Sequence, residues 1–162
     1  MIFTAQECEI RATKCELAAE VLRSSGRLRL QVTGWSMLPA VWPGDTLIID
    51  RIAPHEVAKG DIVLFGRNTR LFAHRVVESD DRTGFVTHGD SMRAADAPVA
   101  KEELLGKVSF VVRDGRCIEP RRVPRLPERA VAALVRYSDI ATRVVVGVHG
   151  LRRRLQVPTE QD

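Results

Sequence analysis

The segment Gly34-Trp-Ser-Met-Leu-Pro39 sets a serine at a bend, just after a glycine-containing turn and just before Met and Pro. A hydroxyl held there can stand clear of the chain while neighbouring backbone N–H groups converge on one spot, as attack on a carbonyl requires. Ser36 is therefore a candidate nucleophile and its own backbone N–H a candidate oxyanion donor. Such a nucleophile needs a base. In Leu71-Phe-Ala-His-Arg-Val-Val77, strand alternation sets Phe72, His74 and Val76 on one face and Leu71, Ala73, Arg75 and Val77 on the other. A neutral imidazole in so sheltered a place can take a serine's proton; a hydrogen-bonded packing role for His74 is the alternative. A third, polar stretch, Thr87-His-Gly-Asp-Ser-Met-Arg-Ala-Ala-Asp96, holds two carboxylates six apart. Asp90 follows a glycine, as Asp45 and Asp61 do, which predicts a turn-closing hydrogen bond to the backbone. Asp96 has no such turn role and is the candidate to orient the imidazole.

These residues need a scaffold of short elements. Thr4-Ala-Gln-Glu7 fits a capping box, and Cys8, Ala12, Cys15, Ala19 and Leu22 recur at helical spacing until Gly26, which predicts an N-terminal helix with small apolar residues on its buried face. The period then shortens: Leu28–Val32, Thr46–Asp50, Asp61–Phe65, Leu71–Val77, Gly84–Thr87 and Val108–Arg113 read as strands separated by turn signals such as Pro43-Gly-Asp45 and Lys59-Gly-Asp61. Three prolines in 120–127 mark a linker, and Pro127-Glu128 opens a second helical pattern running to about Leu155. The expected organisation is an N-terminal helix over 1–27, a β-domain over 28–119, and a Pro/Arg-rich linker with a basic amphipathic helix over 120–162.

With 162 residues, 44% hydrophobic and 28% charged, the chain is long and apolar enough for a self-supporting core, which excludes a disordered tail protein and a collagen-like chain. Three cysteines, odd in number and without a CxxC pair, argue against a disulfide framework or a structural zinc site; no metal and no cofactor is expected. Glu7, Glu9 and Arg11 stand where a secretory signal would be apolar, and no apolar run approaches the ~20 residues of a membrane span, so the expected location is cytoplasmic. The net charge of +4 is unevenly placed, with nine arginines against Glu128 and Asp139 in residues 121–154. Residues 128–155 could lie as a basic amphipathic helix in a membrane interface, or their apolar residues could pack on the β-domain.

Gly34–Pro39, then Gly44-Asp45 and a strand, Gly60–Phe65, His74–Val76, Thr87–Asp96 and a closing Leu105–Val108 together resemble, in this order, the S26 signal peptidase family of the S24/S26 superfamily. The resemblance spans about residues 30–112 and implies a mainly β fold, a coiled β-domain flanked by N- and C-terminal helices. Within that family the bacterial branch sets a lysine just before the Arg-Val pair, whereas the archaeal and endoplasmic-reticulum branch has histidine there. By that likeness Ser36 is the nucleophile, His74 the general base and Asp96 the orienting acid, the same three residues reached from the strand and turn pattern. Two features differ from the family: a charged helix precedes the serine where members carry an apolar anchor, and Gly34 stands where some relatives carry an oxyanion-binding hydroxyl.

The resemblance implies a serine endopeptidase that cuts after small residues in an extended precursor or leader peptide. Trp35, Met37 and Pro39 are its expected substrate contacts, although Trp35 and Trp42 could equally be core. Two alternatives stand beside it. The self-cleaving repressor type shares the Gly-x-Ser-Met-x-Pro box but uses lysine where His74 stands and carries a DNA-binding helix-turn-helix, for which about 27 residues ahead of the β-module are too few. A non-catalytic β-module would instead use its Arg-rich segment to bind membrane or nucleic acid; nucleic acid is not the expected partner. Ser91, which repeats the Ser-Met pair without a following proline, and His88 are decoys in the polar stretch, and His55 and His149 have no identifiable partners.

Overall fold

A computed structural model describes residues 5–80 and 84–137 together with residue 147. Helix α1 spans Ala5–Ser25, and seven strands follow: β1 (Arg27–Gln31), β2 (Thr46–Asp50), β3 (Ile62–Arg67), β4 (Arg70–Asp80), β5 (Gly84–His88), β6 (Leu104–Arg113) and β7 (Arg116–Ile118). Helix α2, Leu126–Tyr137, comes last. The strands form one sheet in the order β1-β2-β6-β3-β4-β5, with β7 added to β6 and every pair antiparallel. This is a mainly β fold with flanking helices.

Strand β6 joins the halves of the sheet. Its early residues, Leu104–Lys107, pair with β3, and Lys107–Val112 pair with β2. Register shifts at Ile48/Ile49, Leu64/Phe65 and Val76/Glu78 each add an irregularity that sharpens local twist, so the sheet coils instead of lying flat. The coil buries β3 on both faces. Ile62 and Leu64 enter one core with Leu22 of α1, Met37, Val41, Leu47, Ile49, Val108 and Val111. Val63 and Phe65, one residue out of phase, enter a second core with Val57, Val76, Phe85 and Val99. That is why Ile62–Phe65 reads as an uninterrupted apolar run where half-buried strands alternate.

The helices differ in their attachment. Among the described side chains of α1 the buried ones are Ala18 and Leu22, one turn apart, while Leu17 is exposed and Cys15 half-buried. The side chain of Cys8 and the residue Thr4 lie outside the described residues. In α2, Ala132 and Val135 are buried, but Leu126, Leu134 and Tyr137 face outward. The sequence pattern for this helix continues to Leu155; the part beyond Tyr137 also falls outside the described residues. Strand β7, too short to register as a periodic run, escapes sequence reading, and β3 and β4 extend beyond their expected ends to form a hairpin around Asn68 and Thr69, both at positive φ. No helix among the described residues is long and apolar enough to cross a membrane.

Because β3 serves both cores, truncation there should be among the costliest in the molecule. Phe65→Ala is expected to lower unfolding free energy by about 3–5 kcal/mol, read by denaturant unfolding; a loss below about 1 kcal/mol would contradict the burial of that face of β3 in the second core.

Candidate active site

Three segments meet at the site. The first is the turn after β1, where Leu38 N–H donates to Trp35 C=O and Val41 N–H to Met37 C=O, with a cis Leu38–Pro39 peptide between. Met37 and Leu38 point into the core at 4% and 0% exposure, which leaves Ser36 at the surface of the turn. The second is β4, which presents His74 at 4% exposure. The third is the loop after β5, which returns to the sheet when Phe85 and Val99 exchange backbone hydrogen bonds of 2.9 and 2.7 Å.

The side chains form a line. Ser36 Oγ lies 2.9 Å from His74 Nε2, and His74 Nδ1 lies 2.7 Å from Asp96 Oδ2. A carboxylate facing Nδ1 fixes the proton there, so Nε2 presents its lone pair to the serine hydroxyl, which can donate to it. Thr87 Oγ1 donates to the same Asp96 oxygen at 2.7 Å, and Asp96 N–H donates to Thr87 C=O at 2.8 Å, so the acid is fixed at both backbone and side chain. Phe65 and Phe72 pack edge-on or tilted against the imidazole. Their bulk excludes water from one side of a ring whose two nitrogens are both engaged.

Thr87 is a residue that sequence reading missed. Phe85, Thr87 and Gly89 are buried while Val86 and His88 are half-buried, so the alternation was readable, and a threonine on a buried face announces a needed partner. Gly89 was missed as well. A Cβ there would sit 2.6 Å from Met92 Cγ, 2.8 Å from the Ser36 carbonyl oxygen and 3.2 Å from His74 Nε2, so only a hydrogen fits.

Asp90 requires a correction. Its carboxylate does not close a backbone turn; both oxygens accept from Arg75, at 2.8 and 2.7 Å. The expectation holds for Asp45 and Asp61, which accept from the N–H of Trp42 and Ala58, and each also takes an arginine, Arg113 and Arg122 respectively. Arg75, on the opposite face of β4 from His74, is itself buried and donates further to the carbonyls of Gly60 and Arg121, at 2.9 and 2.6 Å. Ser91, the apparent duplicate of the serine box, braces it: its N–H donates to Ser36 C=O at 3.0 Å and its hydroxyl to Trp35 C=O at 2.8 Å.

Of the expected substrate contacts, Trp35 is 44% exposed beside the serine, Pro39 lines a cavity described below, and Met37 lies in the core, away from any surface a peptide would meet. His55 is exposed, and His149 lies outside the described residues. No group of three metal-ligating side chains occurs among the described residues. Burial first, then the Glu16 carboxylate, push the Cys15 thiol up, away from the thiolate that a nucleophile would need.

A family model for S24-like peptidases matches residues 3–109, which include Ser36, His74 and Asp96. The chain belongs to the peptidase S24-like family. Among curated proteins and among solved structures, nothing matches it. Membership sets the chain in the S24/S26 superfamily of serine peptidases, and the coiled sheet with its flanking helices is consistent with an S24-like β-domain.

The close approach at Gly89 is testable without an assay. Gly89→Ala is expected to cost about 1–3 kcal/mol in denaturant unfolding and to shift the ¹⁵N resonances of the His74 ring. If both stay unchanged, the loop does not press on the imidazole as described.

Proposed function

We propose that this peptidase is a serine endopeptidase working through Ser36, His74 and Asp96, of the histidine-bearing branch that resembles archaeal and endoplasmic-reticulum signal peptidases. The observation that carries the reading is the unbroken line of hydrogen bonds from Ser36 Oγ through the imidazole to Asp96. In the reaction Ser36 Oγ attacks the scissile carbonyl as its proton passes to His74 Nε2. The imidazolium is stabilised by Asp96, which stays ionised, its Oδ2 also held by Thr87. The Ser36 backbone N–H is the assigned donor to the tetrahedral oxyanion. His74 then returns the proton to the leaving amine, and a water activated by the same ring releases the acyl group from Ser36. The substrate class is an extended precursor or leader peptide cut after small residues, with exposed Trp35 beside the nucleophile as an apolar contact.

Ser36→Ala should abolish cleavage of such a peptide, by at least about 10³-fold in kcat, while changing stability by no more than about 1 kcal/mol. Cleavage by the purified variant at the wild-type rate would exclude Ser36. Intact mass after prolonged incubation at raised pH separates this reading from the self-cleaving repressor type, since an endopeptidase acting in trans leaves its own chain whole.

The identity of the base sets the pH dependence. Only the neutral ring accepts the serine proton, so activity should rise with pH along a histidine limb. His74→Lys should move that limb to higher pH, because an amine ordinarily holds its proton several units longer than an imidazole. A pH–rate profile unchanged by the substitution would remove His74 from the mechanism.

For residues 128–155 we propose peripheral membrane contact, supported by the outward-facing Leu134 and Tyr137 in that range, and by Leu126 just ahead of it, among the arginines of this region. The full chain should float with anionic vesicles, and a Leu126→Asp, Leu134→Asp double variant should not. Equal flotation, or none by either, would remove the membrane role.

A further inference from the structure

A cavity of about 550 Å³ opens between α2 and the serine turn. Pro39 and Ala40 form its wall on the turn side, His88 stands at the end of β5, and Ala132, Ala133 and Arg136 face it from α2. The family match ends at residue 109, so the α2 wall lies beyond the family's shared part.

Its charged lining is Asp90, Glu128, Arg129 and Arg136. The Asp90 carboxylate at its edge is taken up by Arg75, and Glu128 on the first turn of α2 accepts from Arg125 N–H. Arg129 and Arg136 make no salt bridge to a carboxylate among the described residues. Arg136 Nη2 donates to the Asp90 carbonyl at 3.0 Å, and the Arg136 carbonyl accepts from Arg93 Nε at 3.0 Å, so its position is fixed from both sides. Its Nε, by contrast, is buried without an acceptor. Arg136 as a whole is half-buried and lines the cavity, so its guanidinium, which no carboxylate pairs among the described residues, is the cation that an anion entering there would meet. Burial, then the Arg136 charge, push the His88 ring towards its neutral form, against the opposing pull of the Asp90 and Asp96 carboxylates.

We propose that this cavity is a carboxylate subsite that receives an acidic side chain of the peptide substrate, with Arg136 as its cation and the proline and alanine walls holding the methylenes. The proposal rests on the endopeptidase reading. Reach follows from the backbone: Asp90 C=O accepts from Arg136, and the next residue's N–H, that of Ser91, donates to Ser36 C=O at 3.0 Å. The guanidinium therefore stands one peptide unit and two hydrogen bonds from the serine backbone, about two to three residues of extended peptide. An acidic side chain that far from the scissile bond would enter the cavity.

The test uses the full-length Ser36→Ala protein and labelled peptides of small neutral residues in which a single Glu, or Gln in its place, is walked along the sequence. Fluorescence anisotropy should find one position at which Glu binds about ten- to a hundredfold more tightly than Gln. Adding Arg136→Gln should bring that ratio to about one, and Arg136→Glu should turn the preference towards Lys. Ala133→Trp, a substitution at an exposed position that fills the cavity, should also erase the preference while leaving the Arg136 contacts in place. Absence of a Glu preference at every position, or a preference that survives both Arg136→Gln and Ala133→Trp, overturns the subsite. Cleavage of Glu and Gln peptides at equal rates by the wild-type protein also overturns it while sparing the peptidase reading. Glu-selective binding without cleavage of any peptide would sink the peptidase reading alone.

Discussion

A guanidinium standing back to back with the candidate base holds the site in shape. Arg75 follows His74 in β4 and so points to the other face, where it grips Asp90 by two hydrogen bonds and spans to the carbonyls of Gly60 and Arg121. His74 meets Asp96, six residues further along the same loop. Two adjacent residues of one strand thus hold one loop from opposite sides, and the loop in turn holds Ser36 through Ser91 and the close approach of Gly89. With side chains only 8% and 9% exposed, the Arg75–Asp90 pair cannot lose one partner cheaply; an uncompensated charge in such a place costs about 3–5 kcal/mol. The pair acts less as a net source of stability than as a device that permits a single loop position.

The same arginine reaches beyond the β-domain. Its contact with the Arg121 carbonyl, together with Arg122 on Asp61, seats the start of the C-terminal segment against Gly60. A Cβ on Gly60, which has φ +93°, would lie 2.6 Å from the Arg122 carbonyl oxygen. From that seat the chain runs into α2, whose Arg136 returns to the Asp90 carbonyl. The loop carrying the candidate acid is therefore tied to both the sheet and the C-terminal helix. Arg67 ties its far end, donating to the carbonyls of Ala97 and Pro98 and pairing with Glu103, whose carboxyl that hydrogen bond holds below its usual range.

Much of this was legible in the sequence because it is local. The bend at Ser36, the alternation around His74 and the absence of a turn role for Asp96 are properties of short stretches, and the residues they singled out meet in space. The turn acids Asp45 and Asp61 behave as their Gly-Asp context predicts, while Asp90, in the same context, does not. All three pair with an arginine distant in sequence, but at Asp90 the pair with Arg75 stands in place of a backbone N–H, information that a turn pattern does not contain. An arginine in an alternating strand likewise reads as solvent-facing until its buried carboxylate is known. Register shifts hid in the same way: nothing in the runs around Ile48 or Leu64 marks the irregularity that coils the sheet and gives β3 two cores. Nothing in the sequence separates Arg136 from the other arginines of its segment, because its cavity exists only once α2 has docked.

In the proposed mechanism His74 activates Ser36 and no other serine. Labelling the full chain with a fluorophosphonate, followed by peptide mapping, tests it directly, since such reagents phosphonylate a serine hydroxyl in proportion to its activation. One adduct is expected, on Ser36, and its rate of formation should fall at least about a hundredfold in His74→Ala. An adduct on Ser91, or a Ser36 adduct formed equally fast without the imidazole, would contradict it.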